Sequence, residues 1–239
     1  MEIPNLPAPY REILADVVAD LRGKLGANLY SCILYGSAVR GAFVVGRSDL
    51  NLLIILNHST PVAHREIAAI LQRKVRIEPF ILSRVGMERS FEAFAIKFCS
   101  IKRNYRLLCG EDPLRDLVID EKILLFLSEQ ALRNLRLRAV RAYIRLSRDR
   151  QQYADYLAHI VPQVFTDIAT ALRARGIPVE GDFVTRIPRL TEHLGDHALV
   201  LKDLLALKEQ KIALSDDELF QVHDRLFTLL DETIAWLSE

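Results

Sequence analysis

The chain has 239 residues, 50% apolar and 26% charged, with 32 Lys+Arg against 31 Asp+Glu and a formal net charge of +1. That composition is globular and long enough for one large domain or two small ones, which excludes a disordered chain. The near-neutral balance excludes a global polyelectrolyte field for nucleic acid and leaves only a local basic patch open. No apolar run approaches the ~20 residues of a membrane-spanning helix, and the first residues lack the basic and apolar regions of a signal peptide. The expectation is a cytoplasmic protein with no membrane contact. Cys32, Cys99 and Cys109 are an odd number at no metal spacing, each in largely apolar sequence. They predict buried thiols in a reducing compartment.

Residues 8–25 carry a 3.6-residue apolar rhythm through Ile13, Leu14, Val17, Val18, Leu21 and Leu25, with Pro9 in the first turn and Gly26 at the stop. Leu29–Tyr35 and Leu50–Leu56 are short apolar runs bounded by turn residues, the pattern of strands covered on both faces. Between them, residues 37–44 predict a short helix. Thr60 and Pro61 read as the N-cap and first position of a helix over 62–74. Residues 75–82 predict a third strand, and Pro79, which cannot donate to a ladder, makes it an edge or a bulged strand. Residues 87–104 predict one helix, 105–109 a short strand, and Gly110-Glu111-Asp112-Pro113 a turn. From about residue 114 the pattern is helical: 121–150, 153–175 with a kink or break near Pro162, 190–211 in two pieces around Gly195, and a last helix to Trp236 opened by the capping box Ser215-Asp216-Asp217-Glu218. The segment 177–188 predicts a loop, with a weak strand signal at 179–184.

Two short motifs carry the chemistry. Gly36-Ser37 follows the first strand; glycine lets backbone approach an anion closely, and a serine at a helix start offers a hydroxyl and an N–H to phosphate. Read alone, the pair is more readily a strand-to-helix turn. Asp49-Leu50-Asn51 opens the second strand, so Asp49 and Asn51 project to one face as two oxygen ligands suited to Mg²⁺. Read alone, that triplet is also a polar strand start.

Together the motifs run apolar strand, Gly-Ser, eleven residues, Asp-Leu-Asn, apolar strand. This order resembles the nucleotidyltransferase superfamily of DNA polymerase beta, whose signature is hydrophobic-Gly-Gly/Ser, a spacer of about nine to thirteen residues, then Asp/Glu-hydrophobic-Asp/Glu. Arg40-Gly41 and Ser48-Asp49-Leu50 are similar to the minimal bacterial and aminoglycoside nucleotidyltransferases, and Tyr105 to Pro113 (YRLLCGEDP) is similar to the stretch that closes such domains. The resemblance covers roughly residues 29–118. It implies a small mixed α/β (α+β) nucleotidyltransferase domain over residues 1–115, followed by an all-α helical bundle over 116–239. It also implies nucleotide binding by Gly36, Ser37, Arg40 and Ser48, and Mg²⁺ held at Asp49, position 51 and Glu78. Glu78, the only acid in 75–82, would activate the acceptor hydroxyl. The chain departs from the pattern at position 51, where Asn51 replaces a carboxylate: an amide oxygen can coordinate a metal but brings no charge. Glu78 also reads as a surface acid paired with Arg76 or Arg73.

The resemblance implies a nucleoside triphosphate and a hydroxyl acceptor as partners, whether small molecule, protein or RNA, and leaves a homodimer open. The alternative is a catalytically degenerate relative that binds a nucleotide or a partner. A third reading, an RNA-binding adaptor, rests on Arg138, Arg141, Arg145 and Arg148, which fall on one stripe if 121–150 is a single helix; a solvated face explains them equally. Arg186 and His193 have the spacing of a ribonuclease motif known in helical partners of minimal nucleotidyltransferases, but Pro188 predicts a break between them. His193 and His197 flank Gly195 with no third ligand nearby, which argues against zinc.

Overall fold

The computed structural model describes residues 6–41, 43–46, 48–72, 75–209, 212 and 214–238. Arg47 and Arg73, and the predicted helix ends at Lys74 and Lys211, lie outside the described residues. The chain forms two compact units, Met1–Ile119 and Asp120–Glu239.

In the first unit, β1 (Leu29–Tyr35) and β2 (Leu50–Leu56) occupy the spans their apolar runs predict. β3 (Ile77–Ser83) and β4 (Tyr105–Gly110) complete a four-stranded sheet in the order β3-β2-β1-β4. β1 runs antiparallel to β2 and β4, whereas β2 and β3 are parallel, so the sheet is mixed. The parallel pair requires a crossover, supplied by α3 (Pro61–Leu71), which Thr60 caps by accepting from Ala63 N at 3.2 Å. Pro79 sits in β3, an edge strand, where its missing N–H costs the ladder nothing on the open side.

Side-chain alternation gives the sheet two covered faces. Cys32, Leu34, Leu50, Leu52, Ile54 and Leu56 pack with α1 (Ala8–Leu25) and α3. Ile33, Leu53 and Ile55 pack with Met87 of α4 (Arg84–Ser90) and with Phe98 and Ile101 of α5 (Ala95–Arg103). The single helix expected over 87–104 is therefore two. No Pro or Gly lies in the 91–94 break; aromatic packing accompanies it, with Phe94 5.8 Å from Phe80 and Phe91 5.2 Å from Phe98. The helix expected over 37–44 is the four-residue α2 (Ser37–Arg40), stopped by Gly41 in the left-handed conformation at φ 73°.

β4 meets β1 through a register shift that leaves Leu108 as an extra residue, and Gly110 closes the pairing at φ 83°. A Cβ at Gly110 would lie 2.1 Å from Tyr30 O and 2.9 Å from Ser31 Cα. Both are backbone atoms, so no side chain can swing away. Gly110→Ala is expected to lower stability by about 3 kcal/mol, combining positive-φ strain with overpacking. A urea-denaturation midpoint within error of the wild type would refute that close approach.

The second unit is entirely helical among the described residues. It contains α6 (Glu121–Leu146), α7 (Arg150–Ala174), α8 (Phe183–Leu194), a 3₁₀ turn (Gly195–Leu199), α9 (Val200–Lys208) and α10 (Asp216–Ser238). The strand signal at 179–184 is not realised. The expected capping box forms: Glu218 N donates to Ser215 Oγ at 3.3 Å, and Ser215 N donates to Glu218 Oε2 at 2.8 Å. Pro162 lies inside α7, which is not broken there, whereas Pro188 departs from expectation: it lies inside α8, so the loop expected over 177–188 ends at Asp182, which caps α8. Pro188 is tolerated because it is exposed while Ile187, Leu190 and Leu194 are buried on the opposite side.

Asp167, on the inner part of α7, has an Oδ2 with no hydrogen-bond partner, and burial pushes its carboxyl up to about 6. Its folded value lies above its unfolded one, so the native state binds more protons between pH 4 and 6 and stability falls as pH rises through that window. Asp167→Asn is expected to raise stability by about 2 kcal/mol at pH 7 and by nothing at pH 4. Denaturation curves at the two pH values check this; an equal shift at both would contradict it.

Candidate functional site

The strand register assembles the site. Tyr35 is the partner of Asn51 across β1 and β2, and Asn51 is the partner of Glu78 across β2 and β3. The three residues form a row on the sheet face that carries Leu53 and Phe80. Their proximity has an electrostatic signature: burial, with Glu78's charge adding to it, pushes the Tyr35 phenol up to about 12. Glu78 is exposed and makes no ion pair among the described residues.

Gly36 follows Tyr35 at φ 84° and ψ −148°, a conformation that L side chains rarely adopt. A Cβ there would lie 2.8 Å from Asn51 Nδ2. The Gly-Ser turn and the Asp-x-Asn triplet, eleven residues apart in sequence, are thus in contact. Ser37 begins α2, whose third and fourth N–H groups return to Gly36 O at 3.2 Å. Arg40 is exposed on the same short helix. Ser48 closes the loop before Asp49, because its Oγ accepts from Val44 N at 3.0 Å and its N–H donates to Val44 O at 2.9 Å.

Asp49 lies one residue before β2 and Arg76 one residue before β3, which makes them neighbours in the parallel pair. Leu50 N donates to Arg76 O at 3.0 Å between them. Arg76 Nε stands 2.9 Å from Asp49 Oδ1, and Arg76 Nη2 donates weakly to Oδ2 at 3.4 Å. The Nε–H is poorly aligned, so Oδ1 is a buried carboxylate oxygen that receives no hydrogen bond. Arg76, which the sequence offers as a partner of Glu78, is instead the partner of Asp49. The only signal that could have shown this was the equal spacing of both residues from their strand starts.

Asn51 Nδ2 makes one long contact, to Asp49 O at 3.4 Å. The donors are therefore one charged oxygen with a free coordination position, one amide oxygen and one exposed carboxylate. Among the described residues no group of three or more His, Cys, Asp or Glu forms a metal cluster. This set fits a single Mg²⁺ completed by phosphate oxygens and water better than a pair of dications, which needs more bridging charge. The Arg76 contact competes with such an ion, but the guanidinium side chain is 77% exposed and its pairing is worth ~1 kcal/mol or less. Arg76→Ala is therefore expected to tighten Mg²⁺ binding by up to about fivefold, measured by calorimetry; weaker binding would mean that Arg76 holds Asp49 in place.

In the second unit, α6 ends at Leu146, so Arg138, Arg141 and Arg145 share a helix whereas Arg148 lies in the turn before α7. The four-residue stripe is reduced to three exposed arginines. Arg186 and His193 both lie on α8, so the predicted break between them does not occur. Arg186 Nε donates to Gly181 O at 2.9 Å, and its guanidinium lies 5.9 Å from the Phe183 ring. Of the cysteines, only Cys32 is buried; Cys99 and Cys109 are partly accessible. Among the described residues, no helix is long and apolar enough to cross a membrane.

The fold is a small mixed four-stranded sheet with its covering helices, followed by an all-helical unit. A solved structure that matches it is spectinomycin adenyltransferase from Enterococcus faecialis, crystallised with ATP and spectinomycin. The match covers 92% of this chain and 99% of that one, with a TM-score of 0.57 and 14% sequence identity, so the likeness is one of fold. No family model matches the chain, and no curated protein matches it in sequence.

Proposed function

We propose that the protein is an Mg²⁺-dependent nucleotidyltransferase that moves a nucleoside monophosphate from a triphosphate to a hydroxyl acceptor. The observation that carries this reading is the packing of Gly36 against Asn51, next in the chain to Asp49, whose buried Oδ1 is ion-paired with Arg76 but receives no hydrogen bond, within a nucleotidyltransferase fold. Gly36 and Ser37 bind the β- and γ-phosphates through backbone N–H groups and the serine hydroxyl, which a side chain at position 36 would obstruct. Arg40, exposed on the next turn, adds charge toward the phosphates. Asp49, with the Asn51 amide oxygen, holds the ion, which when bound neutralises the triphosphate and polarises its α-phosphorus. Glu78, on the same row, accepts the proton of the attacking hydroxyl. Ser48 Oγ accepts from Val44 N, which holds the loop and leaves its O–H to donate to a phosphate oxygen.

ATP is the first nucleotide to test, since the fold neighbour was crystallised with it. The acceptor is a small-molecule, protein or RNA hydroxyl. Calorimetry with ATP, GTP, CTP and UTP, each with and without Mg²⁺, should show binding of at least one triphosphate only when metal is present. Absence of any binding at millimolar metal defeats the proposal. One observation favours a second reading, a nucleotide- or partner-binding module without turnover: position 51 carries no charge. Metal-dependent binding without transfer to any acceptor would select it.

A further inference from the structure

Cys32 and Cys109 are register partners on antiparallel β1 and β4. Their side chains project to the same sheet face, into one apolar cluster. Directly opposed antiparallel residues have Cα atoms about 4.5–5.5 Å apart, inside the range of about 4.4–6.8 Å that a disulfide spans. The two thiols differ in access. Cys32 is 0% exposed, whereas Cys109 is half-buried and lines a cavity of about 520 Å³ with Arg22, Gly26, Leu29, Leu108 and Gly110. This cavity opens at the start of β1, away from the Gly36 turn at its end, and the proposed nucleotide chemistry does not use it.

We propose that Cys32 and Cys109 form a reversible oxidation site, in which Cys109 reacts with hydrogen peroxide and Cys32 resolves the product to a disulfide joining β1 to β4. The Cys109 thiolate sulfur attacks one peroxide oxygen. The O–O bond breaks, the sulfur loses two electrons and becomes a sulfenic acid, and the other oxygen leaves as hydroxide and is protonated to water. The Cys32 sulfur then attacks the Cys109 sulfur. The S–O bond breaks, the hydroxyl leaves with the Cys32 proton as a second water, and the S–S bond forms. The environment suits the first step. The Cys32 thiol beside it is the largest influence on Cys109 and, with the Arg22 charge, brings its thiol down to about 7 against the opposing effect of burial. Cys32, whose own thiol is pushed up by that neighbour and by burial, is the resolving partner. Cys99 is an internal control: it lies on α5, where Arg103 Nη2 donates to its sulfur at 3.3 Å, and no cysteine stands opposite it.

The test treats the full chain with hydrogen peroxide at pH 7, alkylates the remaining thiols and maps the peptides by mass spectrometry. The expected result is a Cys32–Cys109 cross-linked peptide that dithiothreitol reverses, with Cys99 recovered alkylated. In Cys32→Ser, Cys109 should stop at the sulfenic acid and be trapped by dimedone. In Cys109→Ser, Cys32 should remain a free thiol. Oxidation of Cys99 ahead of Cys109, a disulfide between two copies of the chain, or an unmodified Cys109 in excess peroxide would each overturn the proposal. The wild-type map needs no variant to fold, so a misfolded serine variant cannot rescue or sink it.

Discussion

Asp49→Ala is expected to abolish Mg²⁺-dependent triphosphate binding and to lower nucleotide transfer by about 10³-fold, while leaving the fold almost unchanged. The functional cost is large because Asp49 supplies the one partly buried charge in the donor set, and the loss of a preorganised electrostatic partner in a catalytic site commonly removes about 10²–10³ in rate. The structural cost is small for two reasons. The ion pair with Arg76 is largely solvated on the arginine side and contributes ~1 kcal/mol or less. Removing the carboxylate also removes Oδ1, a buried acceptor whose lack of a donor costs stability in the metal-free state. Turnover, calorimetry and a urea midpoint should therefore separate: the first two collapse and the third moves by less than about 1 kcal/mol. Transfer within a few-fold of wild type would remove Asp49 from the site. A collapse of all three would show that the carboxylate supports the fold instead.

Local sequence rules decide the structure where each acts without competition. Leu29–Tyr35 and Leu50–Leu56 are bounded by turn residues and covered on both faces, so no other element suits them. The same holds for Thr60-Pro61 and for the Ser215–Glu218 box, whose capping chemistry is local. Such rules lose where packing outweighs a local signal. Pro188 removes one hydrogen bond from α8, a cost of about 3 kcal/mol in an isolated helix, yet the helix continues because Ile187, Leu190 and Leu194 are buried on its far side. The break between α4 and α5 is the converse: four residues without Pro or Gly leave the helix where Phe80, Phe91, Phe94 and Phe98 pack together.

The candidate site was legible to the same degree. That Asp49 and Asn51 share a face follows from a period of two. That Glu78 joins their row requires the β2–β3 register, which no local pattern encodes. The Gly36–Asn51 contact and the Asp49–Arg76 pair are likewise consequences of register, since each joins residues in or at the ends of neighbouring strands. The Cys32–Cys109 pairing was invisible for the same reason: 77 positions apart in sequence, the two residues meet only because β4 adds to the free side of β1.

Asn51→Asp is expected to make the metal-free protein less stable and the metal-bound protein more active. Without metal, the new carboxylate replaces an amide whose Nδ2 donates to Asp49 O at 3.4 Å and faces the Gly36 backbone. It also places a negative charge directly across the ladder from Glu78 and on the same face as Asp49. Loss of the weak bond and the added repulsion should together lower stability in EDTA by about 1–2 kcal/mol. Mg²⁺ stabilises both native states by binding them, so a variant that binds the ion about tenfold tighter gains about 1.4 kcal/mol over wild type at saturating ion, enough to offset the deficit. The signature is a melting temperature below wild type in EDTA and at or above it in millimolar Mg²⁺. Transfer should rise by about tenfold or more, because two carboxylates can share cations that an amide cannot. If wild type and variant both turn over, the amide is a tuned ligand in a working enzyme. If only Asn51→Asp turns over, the natural chain is a binding module with a dormant site. If Mg²⁺ raises the variant's melting temperature no more than it raises the wild type's, no ion is held at position 51, and the proposed donor set is wrong.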